Sequence, residues 1–116
     1  MFSEAMRTEV YQHEKFKLEG LGITMKNAVF IIIVEGELKV GNIAIATPIS
    51  SVPTSSINIF PTLGGTGEFA ARIIAENIAN LTSKGVIVVL NLKEYTRERI
   101  VAAMNLAKKI ISKEDR

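Results

Sequence analysis

"VFIIIV", Val29 to Val34, sits inside the longer stretch "NAVFIIIVEGELKVGNIAIA", residues 27–46. An unbroken run of β-branched and aromatic residues favours a strand. Successive side chains of a strand point to opposite faces. Val29, Ile31 and Ile33 therefore form one set, and Phe30, Ile32 and Val34 the other. Both sets are apolar. A strand with one wet face alternates apolar with polar residues, so this one requires cover on both sides. Glu35-Gly36-Glu37 reads as a turn and Leu38 to Ala46 as the returning strand, which makes 27–46 a hairpin.

Upstream, Phe16 and Leu18 alternate with Lys15, Lys17 and Glu19, the pattern of a half-exposed strand. Two short strands joined near Gln12–Glu14 account for this region, after a loose end over residues 1–6. Downstream, "TPISSVPTSS" is a loop or a weakly held edge, rich in proline and hydroxyl residues. Ile57 to Phe60 is a short strand. The period then changes. Phe69/Ala70, Ile73/Ile74, Asn77/Ile78 and Leu81 recur at helical spacing, opposite Glu68, Arg72, Glu76 and Asn80. The helix spans 67–83, and Gly85 ends it. "VIVVL", 86–90, is a strand that is again apolar on both faces. A second amphipathic helix follows Tyr95, with Thr96 as its N-cap and Ile100, Met104, Ala107 and Ile111 on one stripe.

Strands first and helices late predict an α+β fold: about six strands, mainly antiparallel, with two helices from the C-terminal half packed on one face. Two helices cover one face only. At about 25 cal/mol per Å² of apolar surface, leaving the other face wet costs several kcal/mol. The cover is either the N-terminal hairpin folded over or a second copy packed sheet on sheet. The second solution predicts a homodimer with Phe30, Ile32, Val34, Ile43 and Ile45 as interface residues.

The chain's 116 residues fit a single domain, 1–116, and a composition of 47% hydrophobic and 22% charged residues is that of a folded protein. The net charge is only +2, and Lys and Arg interleave with Glu, so no nucleic-acid patch stands out. Lys108, Lys109 and Lys113 cluster where cations suit a helix C-terminus. Cysteine is absent, which excludes disulfides, cysteine–zinc sites and thiol catalysis. The opening "MFSEAMRTEV" lacks a signal-peptide apolar run, and "AVFIIIV" is too short to span a bilayer. A soluble, cytoplasmic protein is expected, without nucleic-acid or membrane partners.

One motif suggests a ligand. "GGTGEFA", Gly64 to Ala70, reads Gly-x-Gly-x-x-Ala from Gly65, the short dinucleotide fingerprint. It lies between a strand and a helix, as it should. Glu68, however, occupies the first helical turn, where a pyrophosphate would sit, and like charges repel there. On the simpler reading the glycines turn the chain, at least one of Gly64, Gly65 and Gly67 has positive φ, and Thr66 caps the helix. A small phosphate- or nucleotide-binding domain using the Gly64–Gly67 loop is the alternative. Glu35 and Glu37 read as solvated turn residues rather than an acid–base pair. His13 reads as a surface residue without a catalytic partner. No metal-ligand spacing is present, and the hydroxyl residues of 50–56 have no histidine base nearby. No catalytic residue, cofactor or metal site is expected.

Taken in order, the opening hairpin near "TEVYQHEKFKLEGLGI", the strand "AVFIIIVEGELKVGNIAIATP", the loop "ISSVPTSS", the segment "INIFPTLGGTGEF", the helix "AARIIAENIANL", the strand "VIVVLNL" and the final helix resemble the proteasome-assembling chaperone 3 family. The resemblance implies a small non-catalytic chaperone that pairs as a dimer and holds proteasome α-subunits while the α-ring forms. Eukaryotic members act in heterodimers, so a single chain implies a self-pairing, archaeal-type relative. It also implies that the loop around Thr47 to Ser56 contacts the α-subunits, with Ile49, Ser50, Ser51, Val52, Thr54, Ser55 and Ser56 as partner-binding residues. A roadblock-type regulatory scaffold is a further reading, but residues 1–26 offer no opening helix for it.

Overall fold

The computed structural model describes residues 2–48, 55–58 and 66–111, with the backbone alone at 55–58 and 66. Among these residues the order is α1 (Phe2–Ala5), β1 (Met6–Gln12), β2 (Lys17–Thr24), β3 (Ala28–Glu35), β4 (Asn42–Ala46), β5 (Ser55–Asn58), α2 (Thr66–Thr82), β6 (Gly85–Asn91) and α3 (Arg97–Ile111). The strands form one six-stranded mixed sheet in the order β1-β2-β3-β6-β4-β5. β3 and β6 run parallel, and every other neighbouring pair is antiparallel. The fold is α+β.

The hairpin expected over 27–46 does not form. β6 lies between β3 and β4, pairing Val29–Ile33 on one side and Asn42–Ala46 on the other. The two strands that are apolar on both faces occupy the centre together, where cover is greatest. The segment after β3 instead passes the end of β6, and Gly41 lies against Leu90 and Asn91 there. The returning strand is correspondingly short. At the other end, residues 2–5 form a helical turn and β1 begins at Met6, where a loose end was expected. β5 begins at Ser55, two residues before the expected start at Ile57, and Ile59 and Phe60 lie outside the described residues.

Both long helices lie on the same face, α2 over β4 and β6, α3 over β1 and β2. The register explains how they fit. Across the helix face run the rows Glu9–Gly20–Ile33–Leu90–Asn42 and Arg7–Gly22–Ile31–Val88–Ala44. Large side chains stand on the two central strands, between the helices. Beneath α3, β2 presents Gly20 and Gly22, and beneath α2, β4 presents Ala44. A Cβ on Gly22 would collide with Ile110 Cγ2, and one on Gly20 would lie 2.7 Å from Ile110 Cδ1. α3 rests where those side chains are missing.

α2 buries Ala70, Ala71, Ile74, Ala75, Ile78 and Ala79, while Phe69 and Leu81 are 60% and 54% exposed. The buried stripe is thus turned by about one residue from the expected one. Alanine on the seam lets the helix approach the sheet more closely than Phe69 and Leu81 would allow. Ser83, with φ 57°, takes the left-handed position after α2, and its N–H donates to Ala79 O at 2.8 Å. The expected terminator, Gly85, opens β6 instead. Thr96 Oγ1 accepts the Arg99 N–H at 3.3 Å, so it caps α3 as its sequence position predicts.

Candidate functional site

The opposite face of the sheet carries the rows Met6–Ile23–Phe30–Ile87–Ile45 and Thr8–Leu21–Ile32–Val89–Ile43. A third row, Val10–Glu19–Val34–Asn91, is mixed. Five strands at about 4.8 Å spacing make this apolar surface roughly 20 Å across. Neither α2 nor α3 lies on it. Ile45, Met6 and Val10 are 41%, 45% and 50% exposed, and Leu21, Ile23, Phe30, Ile32, Ile43 and Ile87 are half-buried. Val34 and Val89 are buried among their neighbours. The N-terminal hairpin does not fold over this face, because it forms two strands of the sheet itself. Contiguous apolar surface of this kind marks an interaction site.

Phe30, Ile32, Val34, Ile43 and Ile45 all fall on this one face, on β3 and β4. The expected partner loop divides differently. Ile49, Ser50, Ser51, Val52 and Thr54 lie outside the described residues. Ser55 and Ser56 are not loop residues: they open β5, opposite Ile45 and Ala44. The β4 ladder captures them, since a strand takes its partners from an available edge as well as from propensity.

Of the glycine motif, Gly64 and Gly65 lie outside the described residues, as does the Thr66 side chain. Gly67 lies in the first turn of α2 and is buried. It lacks the positive φ that a turn would need. In a dinucleotide site the corresponding glycine lets the backbone approach the pyrophosphate. Here a Cβ at Gly67 would collide with the Asn42 amide and lie 2.8 Å from Tyr95 Cζ. The space is filled by protein. Asn42, fully buried, donates from Nδ2 to the Tyr95 hydroxyl at 2.8 Å. That hydroxyl also accepts the Leu92 N–H at 3.3 Å. The start of α2 is thereby anchored to the β6–α3 connection.

Glu35 is not solvated, as its turn position suggested; only Glu37 is exposed. Glu35 is 6% exposed. It accepts Arg99 Nε–H at 2.9 Å on Oε1 and 3.1 Å on Oε2, and Oε1 also accepts the Lys93 N–H at 3.0 Å. Arg99 lies 4.7 Å above the Phe16 ring, and His13 stacks on Phe16 at 4.4 Å. The hydrogen bond to Glu35 raises the Arg99 pKa above its ordinary value, with smaller contributions from the charges of Glu94 and Glu98. This cluster joins the end of β3, the β6–α3 connection, the first turn of α3 and the β1–β2 turn. With Arg99 and a backbone N–H as its partners, the carboxylate ties these segments together. The partners of Glu35 lie 58 and 64 residues away, so sequence proximity could not reveal them. The available signal was a glutamate directly continuing an apolar central strand.

Among the described residues no group of three His, Cys, Asp or Glu side chains could hold a metal ion. No helix among them is long and apolar enough to cross a membrane. No protein-family model and no curated protein matches the chain. Among solved structures, a chain from the crystal structure of a novel chaperone complex for yeast 20S proteasome assembly aligns with it. The alignment covers 93% of this chain and 94% of that one, with a TM-score of 0.60 and 14% sequence identity. The two chains share a fold. At that identity the likeness establishes architecture, and it extends over nearly the whole of both chains.

Proposed function

We propose that this protein is a non-catalytic, cytoplasmic chaperone of proteasome assembly that binds α-subunits while the α-ring forms. One observation carries the proposal: the whole chain has the architecture of a subunit from a 20S proteasome assembly chaperone complex. The broad apolar face independently calls for a protein partner. The chain pairs with itself through Phe30, Ile32, Val34, Ile43 and Ile45, as a self-pairing relative of the proteasome-assembling chaperone 3 family. A copy of the same surface matches a flat apolar face in both chemistry and extent. The segment 49–54 contacts the α-subunits.

Two measurements test this reading. In analytical ultracentrifugation the protein sediments at twice its 12.7 kDa chain mass at micromolar concentration; a single monomeric species there removes the homodimer. In pull-downs the intact protein retains proteasome α-subunits. Replacing 49–54 by a short Gly-Ser link weakens the retention while leaving β5, which begins at Ser55, in place. If the intact protein retains no α-subunit, the assembly role falls.

A further inference from the structure

A second surface lies at the β1 edge of the sheet, away from the apolar face. β1 is an end strand, so its outer row of main-chain N–H and C=O groups has no strand partner among the described residues. α3 runs beside it. Two contacts bridge α3 to β1 and the residue after it: Glu98 Oε2 lies 3.5 Å from His13 Nε2, and Lys109 is ion-paired with Glu9 at 3.5 Å. Between them an open cleft of about 300 Å³ is lined by Tyr11, His13, Arg97, Glu98, Val101 and Ala102. Its floor is apolar, and Val101 is 50% exposed. At its mouth Glu98 lies against His13, whereas Arg97 has no ion-pair partner among the described residues.

An open strand edge beside a helix, with a pocket between them, is the geometry that accepts an added peptide strand. Main-chain bonds hold such a strand, and every second side chain enters the pocket. Arg7 and Glu9 place charge on the helix side of β1, which guards that half of the edge against indiscriminate pairing. The half around Tyr11 carries no such guard. From Glu9 to His13 a strand rises by about 13 Å, room for roughly four residues.

The geometry points to an extended peptide segment as the occupant, added along the Tyr11 half of β1. One apolar side chain of the peptide enters the Tyr11–Val101–Ala102 cleft, and a carboxylate meets Arg97. The occupant is a segment of a partner protein that carries an apolar residue with an acid close by, matching the apolar floor of the cleft and Arg97 at its mouth. This inference does not depend on which partner covers the apolar face.

A display library of random eight-residue peptides, panned against the full chain, provides the test. Enriched peptides carry an apolar residue with an acidic residue close by. A fluorescein-labelled enriched peptide perturbs the amides of 9–13 and of the first two turns of α3. Val101→Asp weakens its binding about tenfold, the value of one buried valine. Arg97→Glu weakens it up to about fivefold, the range of an exposed ion pair, and a lysine in place of the peptide's acid restores it. Both substitutions are at exposed positions, and melting curves confirm that the fold is retained. The proposal is overturned if no peptide is enriched. It is equally overturned if the enriched peptides perturb the apolar face instead, or bind both variants as tightly as the parent chain.

Discussion

The two faces of this sheet are built from the same strands and share an apolar character, yet they differ in shape. Under the helices β2 and β4 offer Gly20, Gly22, Ala44 and Ala46 beside the large side chains of β3 and β6, and the buried Leu18 closes the β2 trough at its Glu35 end. On the other face the corresponding strands offer Leu21, Ile23, Ile43 and Ile45, as large as those at the centre. The first face is a ridge with a trough on each side, and each trough holds a helix. The second has bulky residues on all the strands at its middle and no trough for a helix. A broad surface of that kind is matched by another sheet, at the roughly 10 Å spacing of stacked sheets. The helix-bearing face and the open face are therefore distinguished by residue size, not by hydrophobicity.

Adjacent residues of β3 give the strongest test of that contrast. Ile31 is fully buried under the helices, and Ile31→Ala leaves a cavity that lowers unfolding free energy by about 4 kcal/mol. The loss, read by urea denaturation, is the same at every protein concentration. A loss below about 1 kcal/mol would mean that the helix face is not the well-packed one.

Arg99→Leu comes next. It leaves the Glu35 carboxylate buried without its cation, at a cost of about 3 kcal/mol in the same measurement. Replacing both residues, with Glu35→Gln added, recovers part of this. Because the Arg99 pKa is raised in the folded state, its contribution is complete below the ordinary arginine range and fades only as the pH rises above it. The stabilising effect of Arg99 over leucine is therefore flat through neutral pH and narrows only at pH above the ordinary arginine range. A difference that already narrows between neutral pH and the ordinary arginine range would contradict the raised Arg99 pKa.

The elements were legible wherever a period was long and consistent: β1–β2, both long helices, β6 and the two-sided apolarity of β3. The topology was not, because the turn at Glu35–Glu37 looks the same whether the next strand pairs with β3 or passes it. What decides is competition for the centre, a property of β3 and β6 jointly. The apolar face could be assigned from alternation alone, and its five predicted residues do lie together. The trough was also present in "GLGI", 20–23, and "IAIA", 43–46, where small residues fall on one parity and large ones on the other. That signal becomes readable once residue size is followed along with polarity.

Gly22→Ala is a moderate perturbation on the helix side. The added methyl meets Ile110 Cγ2, a branch close to the helix backbone that cannot swing away. Overpacking of this kind costs about 2 kcal/mol. Ile110→Ala is itself costly, but in its background the same Gly22→Ala change costs less, and the thermodynamic cycle of the four proteins yields a favourable coupling. Additive losses would mean that α3 does not rest in the Gly20–Gly22 trough.

The smallest effect on the single chain belongs to Ile45→Lys, and it is the most discriminating. Ile45 is 41% exposed on the apolar face, and a lysine there lays its stem along Ile43 and Ile87 while its ammonium reaches water. Unfolding free energy of the isolated chain changes by no more than about 1 kcal/mol. Assembly responds differently. In a two-fold dimer each substitution appears twice, so two ammonium groups enter the interface without partners. Under the proposed self-pairing, sedimentation then shows monomer at concentrations where the parent chain pairs, and the dependence of melting temperature on protein concentration disappears. Ile45→Val, which keeps the surface apolar, preserves both. A Lys variant that still pairs as tightly as the parent would place Ile45 outside the interface and confine the contact to the Phe30–Ile32 side of the sheet.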